Sequence, residues 1–248
     1  MFTTDQREHL RTLLLDKARA DTRLSGAAIT GSASHGTEDR WSDVDLFFGV
    51  AAGTALQTVL DDWTDFMYAA HGALHHFDIT SGPAIYRVFL LPDCLEVDLA
   101  FTPANEFGAR GPNFRTIFGQ TNQVPQMKKA DPSHLIGLAW HHVLHARTSI
   151  ERRKVWQAEY WISAIRDYTL ALTSLRFGKP SDYSKGADDL PREIMAPLED
   201  ALVRSLSFEE LRRALGAAVE GLLRELSETN GQLADRLASP LRQLASFR

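Results

Sequence analysis

Gly31-Ser32-Ala33-Ser34-His35-Gly36-Thr37-Glu38-Asp39-Arg40-Trp41-Ser42-Asp43-Val44-Asp45 is the stretch whose reading decides the fold. It is entered by the short apolar run Ala27 to Thr30 and left by Val44 to Val50, VDLFFGV, which is apolar and β-prone. The reading is therefore strand, tight loop, strand. Gly31 and Ser32 sit just past the first strand, where a small residue lets the backbone approach a ligand and free N–H groups can cup a phosphate. Asp43 and Asp45 follow, separated by one residue, and are read as lying on the second strand with both carboxylates on one face. Two like charges held that close are unfavourable unless a cation lies between them, and hard oxygen ligands suit magnesium. A third acid comes from Leu95 to Phe101, LEVDLAF, in which Leu95, Val97, Leu99 and Phe101 alternate with Glu96 and Asp98. One face of that strand is core and the other carries carboxylates.

Outward from this stretch, Thr4 to Ala20 has Leu10, Leu13, Leu14 and Ala18 at helical spacing, and Thr3 with Gln6 forms a capping-box pattern. Thr54 to Ala70 is helical in period, with Leu56, Val59, Leu60, Trp63 and Met67 on one face. Three runs, Leu74 to Thr80, Ile85 to Leu91 and Leu95 to Phe101, are joined by turns short enough to make neighbours antiparallel. Asn105 to Gln126, rich in Gly, Pro and Asn, reads as a connecting segment with one helical turn. Asp131 followed by Pro132 is a helix start, and helices are predicted near 132 to 147, 150 to 177, 192 to 204, 208 to 227 and 231 to 246. The predicted fold is α+β, with a mixed sheet and flanking helices in residues 1 to 130 and a helical bundle in residues 131 to 248.

Glycine and serine, ten residues, then Asp-x-Asp, with an acid on a later strand, resembles the nucleotidyltransferase superfamily that includes DNA polymerase beta. Gly31, Ser32, Asp43 and Asp45 carry the resemblance, and Asp98 fits the third acid. The resemblance implies transfer of a nucleoside monophosphate, AMP in our reading, from a nucleoside triphosphate to an acceptor hydroxyl. Asp43, Asp45 and Asp98 would hold two magnesium ions, Ser32 and the backbone around Gly31 would hold the β and γ phosphates, and Asp98 would bind the second ion or take the acceptor proton. The motif and the two-domain layout together look like the small bacterial nucleotidyltransferases that adenylylate aminoglycosides or lincosamides. That likeness implies an active site in a cleft between the domains, a small-molecule acceptor and a link to antibiotic resistance. Modification of a protein or a transfer RNA, and a non-catalytic nucleotide-binding module, are the rival readings.

The helical half offers less specific candidates. In Arg152 to Tyr168, RRKVWQAEYWISAIRDY, the residues Val155, Ala158, Ile162 and Ile165, with Leu172 beyond, form a core stripe. Arg152, Arg153 and Lys154 at the start of this helix are candidates for contact with a triphosphate tail, the alternative being a solvated surface. Glu159 and Asp167 are the acids expected to face a cationic acceptor, with Glu159 as general base, since the family places an acid from the helical domain there. Lys185 is a candidate phosphate contact, and Asp188 and Asp189 are expected to cap the following helix. His35 lies inside the phosphate loop and is a candidate nucleotide contact. His141 and His145 are four apart on a helix, but no glutamate follows the first, so the metalloprotease pattern is missing and zinc is set aside. Trp63, Trp140, Trp156 and Trp161 are expected in core or interdomain packing, and Trp41 under the loop.

Composition bounds these readings. The 248 residues are 44% hydrophobic and 24% charged, ordinary for a globular chain and incompatible with a disordered or fibrous one. No stretch approaches the roughly 18 unbroken apolar residues of a membrane span, and the amino end is polar, so a cytoplasmic location is expected. The single cysteine, Cys94, excludes an internal disulfide and a thiolate cage. A net charge of -5 argues against a partner as extended as long nucleic acid and suits a polycationic small molecule.

Overall fold

The structure is a computed structural model that describes every residue except Met127, Lys129 and Arg248. The chain divides into two compact units, Met1–Lys128 and Lys129–Arg248, and the fold is α+β.

The first unit opens with α1 (Thr4–Ala20), whose Thr3 side chain accepts from Gln6 N–H while Gln6 reaches back to the Thr3 N–H, closing the capping box. Its six strands are β1 (Leu24–Thr30), β2 (Val44–Val50), β3 (His75–Ser81), β4 (Ala84–Leu90), β5 (Glu96–Pro103) and β6 (Phe114–Gly119), and α2 (Leu56–His71) lies between β2 and β3. They form one sheet in the order β3-β4-β5-β2-β1-β6. The hairpin partners β3, β4 and β5 run antiparallel, whereas β2 and β5 pair in parallel, so the sheet is mixed. One face is buried under the two helices: Leu10, Leu14, Leu60 and Trp63 pack on Leu46, Phe48, Leu99 and Phe101. The residues that alternate with these strand positions turn to the opposite face, where Ala28, Phe47, Ala84, Ala100 and Phe107 form a smaller cluster.

Two elements depart from the sequence reading. β1 starts at Leu24, three residues before the expected apolar run, because Gly26 does not end the strand. Instead a Cβ at Gly26 would strike the Phe107 ring at 2.5 Å, and the missing side chain is what lets that ring lie on the sheet. The segment from 105 to 126 holds a 3-10 turn over Ala104–Glu106, as expected, but also the whole strand β6, which pairs antiparallel with β1. Phe114 to Phe118 is β-prone, and the turn formers Gly111, Pro112 and Asn113 that mask it in the sequence are the corner leading into it.

The second unit is helical: α3 (Pro132–Glu151), α4 (Val155–Arg176), α5 (Arg192–Glu199), α6 (Phe208–Thr229) and α7 (Gly231–Ala245). Asp131 caps α3 by accepting from Ser133 N–H, with Pro132 in the first turn. Ala158, Ile162, Ile165 and Leu172 are buried with Leu211, Leu215, Val219 and Leu222 of α6, as the stripe predicts. The break between α3 and α4 falls at Arg152 to Lys154, a few residues later than the pattern indicates, where Arg153 takes the left-handed conformation at φ 57°. α5 ends at Glu199 and not at 204, since Arg213 of α6 draws the carbonyls of Asp200 and Leu202 away at 2.6 and 2.9 Å. Asp188 and Asp189 do not cap it: Pro191 occupies that position, and Asp189 pairs with Lys179 at 3.1 Å.

Candidate active site

The strand pairing puts Asp45 of β2 directly beside Asp98 of β5. Neighbours in register share a face of the sheet and lie about 4.8 Å apart. That face is the one away from α1 and α2, so no helix of this core covers the two carboxylates. Asp43 does not stand on the strand as the sequence reading has it; β2 begins at Val44, and Asp43 is the last residue of the incoming loop. Its charge nevertheless acts on Asp45 and helps to raise it.

The electrostatics of this group are unusual for carboxylates. Asp45 is pushed up to about 8, first by burial and then by the charges of Asp43 and Asp98. Asp98 is pushed up to about 7, again by burial first, with Glu96 and Asp43 adding to it. Among the described residues, no Lys, Arg or His side chain is paired with either acid. Asp98 Oδ1 is buried with no hydrogen-bond partner, a costly arrangement for an oxygen that can coordinate. Among the described residues no group of three His, Cys, Asp or Glu side chains stands in metal-binding geometry as it is. The acids form a pair in register, flanked by Asp43 and Glu96. Hard oxygen donors, an orphaned buried oxygen and uncompensated negative charge fit a divalent cation of the magnesium type.

The glycine-serine bend closes over the same acids. Gly31 has φ 61° and ψ -154°, a conformation reserved for glycine, and a Cβ there would overlap Oδ2 of Asp45. Ser32–Ser34 forms a 3-10 turn in which Ser34 N–H returns to Gly31 O. The N–H groups of Ser32 and Ala33 donate to no group among the described residues; Ser32 is half-buried and Ala33 buried. His35 is exposed, and its Nε2 lies 2.9 Å from Pro112 O, which ties the bend to the corner before β6. Trp41 is not packed under the loop. It is 63% exposed, with the Arg40 guanidinium 4.6 Å over its ring.

Three features around the acids and their loop escape the sequence reading because their partners are remote along the chain. Arg7 of α1, 2% exposed, donates from Nη1 to Asp39 O at 2.6 Å and Ser42 O at 3.0 Å, gripping the loop that delivers Asp43. Arg11 joins it through Glu38 at 2.6 Å. Beyond the acids a cavity of about 210 Å³ is walled by Thr30, Phe47, Tyr86, Arg110, Pro112 and Phe114. Phe47 is two residues from Asp45 on the same strand, roughly 7 Å along it. The charge of Asp45 helps to raise Tyr86, after burial, which places the cavity within electrostatic reach of the pair.

The candidates of the second unit have local partners there. Glu159 accepts from Ser163 Oγ at 2.8 Å, Asp167 is paired with Arg166 at 2.8 Å, and Lys154 and Lys185 are exposed. Trp161 packs against the helical core, but Trp140 and Trp156 are 38% and 73% exposed and are not core residues. The helical period that suggested packing for them holds for their backbone positions only. Trp63 is fully buried and donates to Asp21 at 3.0 Å. No helix is long and apolar enough to cross a membrane among the described residues.

No protein-family model matches the sequence, and no curated protein matches it. Among solved structures, the chain is similar over the whole of both chains to an aminoglycoside 6-adenyltransferase from Bacillus subtilis, at 11% identity and a TM-score of 0.38. A likeness of that degree bears on neither activity nor substrate, and the site is read from its own residues.

Proposed function

We propose that the acid face of the first unit is the centre of a magnesium-dependent nucleotidyltransferase that moves AMP from ATP to a hydroxyl of a small, cationic acceptor of the aminoglycoside kind. One observation supports this above the others: Asp45 and Asp98 stand half-buried in register with no salt-bridge partner among the described residues, and Gly31 brings the bend against Asp45. In the reaction the acceptor oxygen bonds to the α-phosphorus, the bond from that phosphorus to the bridging oxygen breaks, and pyrophosphate leaves. The hydroxyl proton passes to a carboxylate, for which Asp98 and, from the helical unit, Glu159 are the candidates. Asp43, Asp45 and Asp98 would hold the magnesium ions, whose contribution when bound is to neutralise charge on the attacking and leaving oxygens. Ser32 and Ala33 N–H groups would bind the terminal phosphates, with Lys154 and Lys185 as further candidate contacts. The net charge of -5 favours a cationic acceptor by attraction at long range.

The test incubates labelled ATP, GTP, CTP and UTP with aminoglycosides, lincosamides and bulk tRNA, using Asp43→Ala/Asp45→Ala as blank. Labelled aminoglycoside and released pyrophosphate are expected from ATP with the intact chain only. Label on tRNA would move the acceptor to nucleic acid. Nucleotide binding without pyrophosphate release would leave a binding module and defeat the proposal.

A further inference from the structure

The strongest cluster of metal-ligating side chains outside the acid face lies on α3. His141 and His145 are one turn apart, and their Nε2 atoms stand 3.1 Å from each other. Two neutral imidazoles can meet this way only if one nitrogen donates the proton and the other accepts it. The rings are almost perpendicular, at 80° with centroids 4.4 Å apart. The pose of His145 is fixed by stacking on Trp161 of α4, at 4.9 Å and 28°. Trp161 also meets His142, 4.7 Å away, whose Nδ1 bonds Leu138 O. His141 is exposed.

We propose that His141 and His145 are a two-point binding site for a divalent transition-metal ion of the copper or nickel class. The ion would take the place of the shared proton, which moves to Nδ1 of the same ring by a change of tautomer, and bind both Nε2 lone pairs. With metal–nitrogen bonds of about 2.05 Å, a separation of 3.1 Å gives a nitrogen–metal–nitrogen angle of about 98°. That is nearer the square cis angle of Cu(II) and Ni(II) than the wider tetrahedral angle of zinc. Among the described residues no third His, Cys, Asp or Glu completes a cage, so water fills the remaining positions on the exposed side of His141. Nitrogen donors select against magnesium, which separates this site from the acid pair by chemistry as well as by place in the fold.

The test uses untagged protein titrated with copper sulfate in a non-coordinating buffer, followed by tryptophan fluorescence and by electron paramagnetic resonance. One equivalent of copper is expected to quench the fluorescence through Trp161 and to show coupling to two nitrogens. His141→Asn or His145→Asn should each weaken binding at least about tenfold, and the double variant should lose the two-nitrogen signal at an unchanged melting temperature in the absence of metal. His75→Asn/His76→Asn should bind as the wild type does, and magnesium should give no quench. The same two-nitrogen signal in the double variant, or its loss in the His75/His76 variant, overturns the proposal. Neither readout involves nucleotides, so the outcome stands apart from the transferase reading.

Discussion

Oδ2 of Asp45 occupies the space in which a Cβ on Gly31 would lie. The bend and the acid pair are therefore one construction, since any side chain at residue 31 must push the carboxylate aside. It would also have to adopt φ 61°, which costs an ordinary residue on the order of 1–3 kcal/mol. Gly31→Ala is expected to lower stability by about that amount and nucleotidyl transfer by at least a hundredfold, as a displacement near 1 Å at a reacting centre does. Ser32→Ala, which keeps the backbone, should cost less in both. Thermal melting and pyrophosphate release measure the two effects, and equal losses from the two variants would refute the coupling.

The raised acids make stability fall with pH. Asp45 has an ordinary value of 3.8 and rises to about 8 in the fold, and Asp98 rises to about 7. Between those limits the folded chain holds protons that the unfolded chain has released, so metal-free protein loses stability as pH climbs from about 4 to about 8. Asp45→Asn and Asp98→Asn should each flatten that slope and stabilise the protein at pH 8 by on the order of 2 kcal/mol, while abolishing transfer. Magnesium should raise the melting temperature of the wild type at pH 8 and leave Asp45→Asn unmoved. Urea unfolding from pH 4 to pH 9, with and without magnesium, decides the matter; a slope shared by both variants would sink it.

How much of this could be seen in the sequence follows from the range of the interactions. Val44 to Val50 is read with both ends correct because an apolar, β-prone run is a local signal, and the capping box of α1 is likewise written in four adjacent residues. The Asp45 to Asp98 register is a long-range pairing that the motif alone suggests, whereas the Arg7 grip on Asp39 and Ser42 has no motif at all. β6 was hidden because Pro112 and Asn113 signal a turn more strongly than five residues signal a strand, and its pairing with β1 supplies the missing evidence. Trp140 and Trp156 show the converse error: large aromatic residues at helical spacing need not face the core.

Arg7 holds the loop that carries Asp43. Its guanidinium serves two backbone carbonyls and lies 3.3 Å from the Glu38 carboxylate, all within a nearly closed environment. Arg7→Met leaves those acceptors unserved and should cost about 2–4 kcal/mol. Arg7→Lys retains the charge but cannot serve Asp39 O and Ser42 O from one nitrogen while a second nitrogen faces Glu38. It should therefore weaken apparent magnesium affinity about tenfold while keeping most of the stability. Magnesium titration of transfer activity beside urea unfolding separates the two; a lysine variant with wild-type magnesium dependence would reduce Arg7 to a purely structural role.

In the helical unit, Glu225 is 4% exposed and is met by Arg176 from α4 through two bonds of 2.8 Å and by Thr173 Oγ at 2.9 Å. The pair ties α4 to α6. Removing Arg176 strands a buried carboxylate, and Arg176→Met should destabilise by about 3–5 kcal/mol. Glu225→Met also breaks the pair but leaves its charge on a side chain that is 24% exposed and can reach water, so its cost should be smaller. Arg176→Met/Glu225→Met removes both charges and should recover most of the loss, because desolvation of the pair offsets much of its attraction. Urea unfolding of the three variants gives the order directly. A double variant as unstable as the sum of the singles would show that the two side chains act independently, against the geometry.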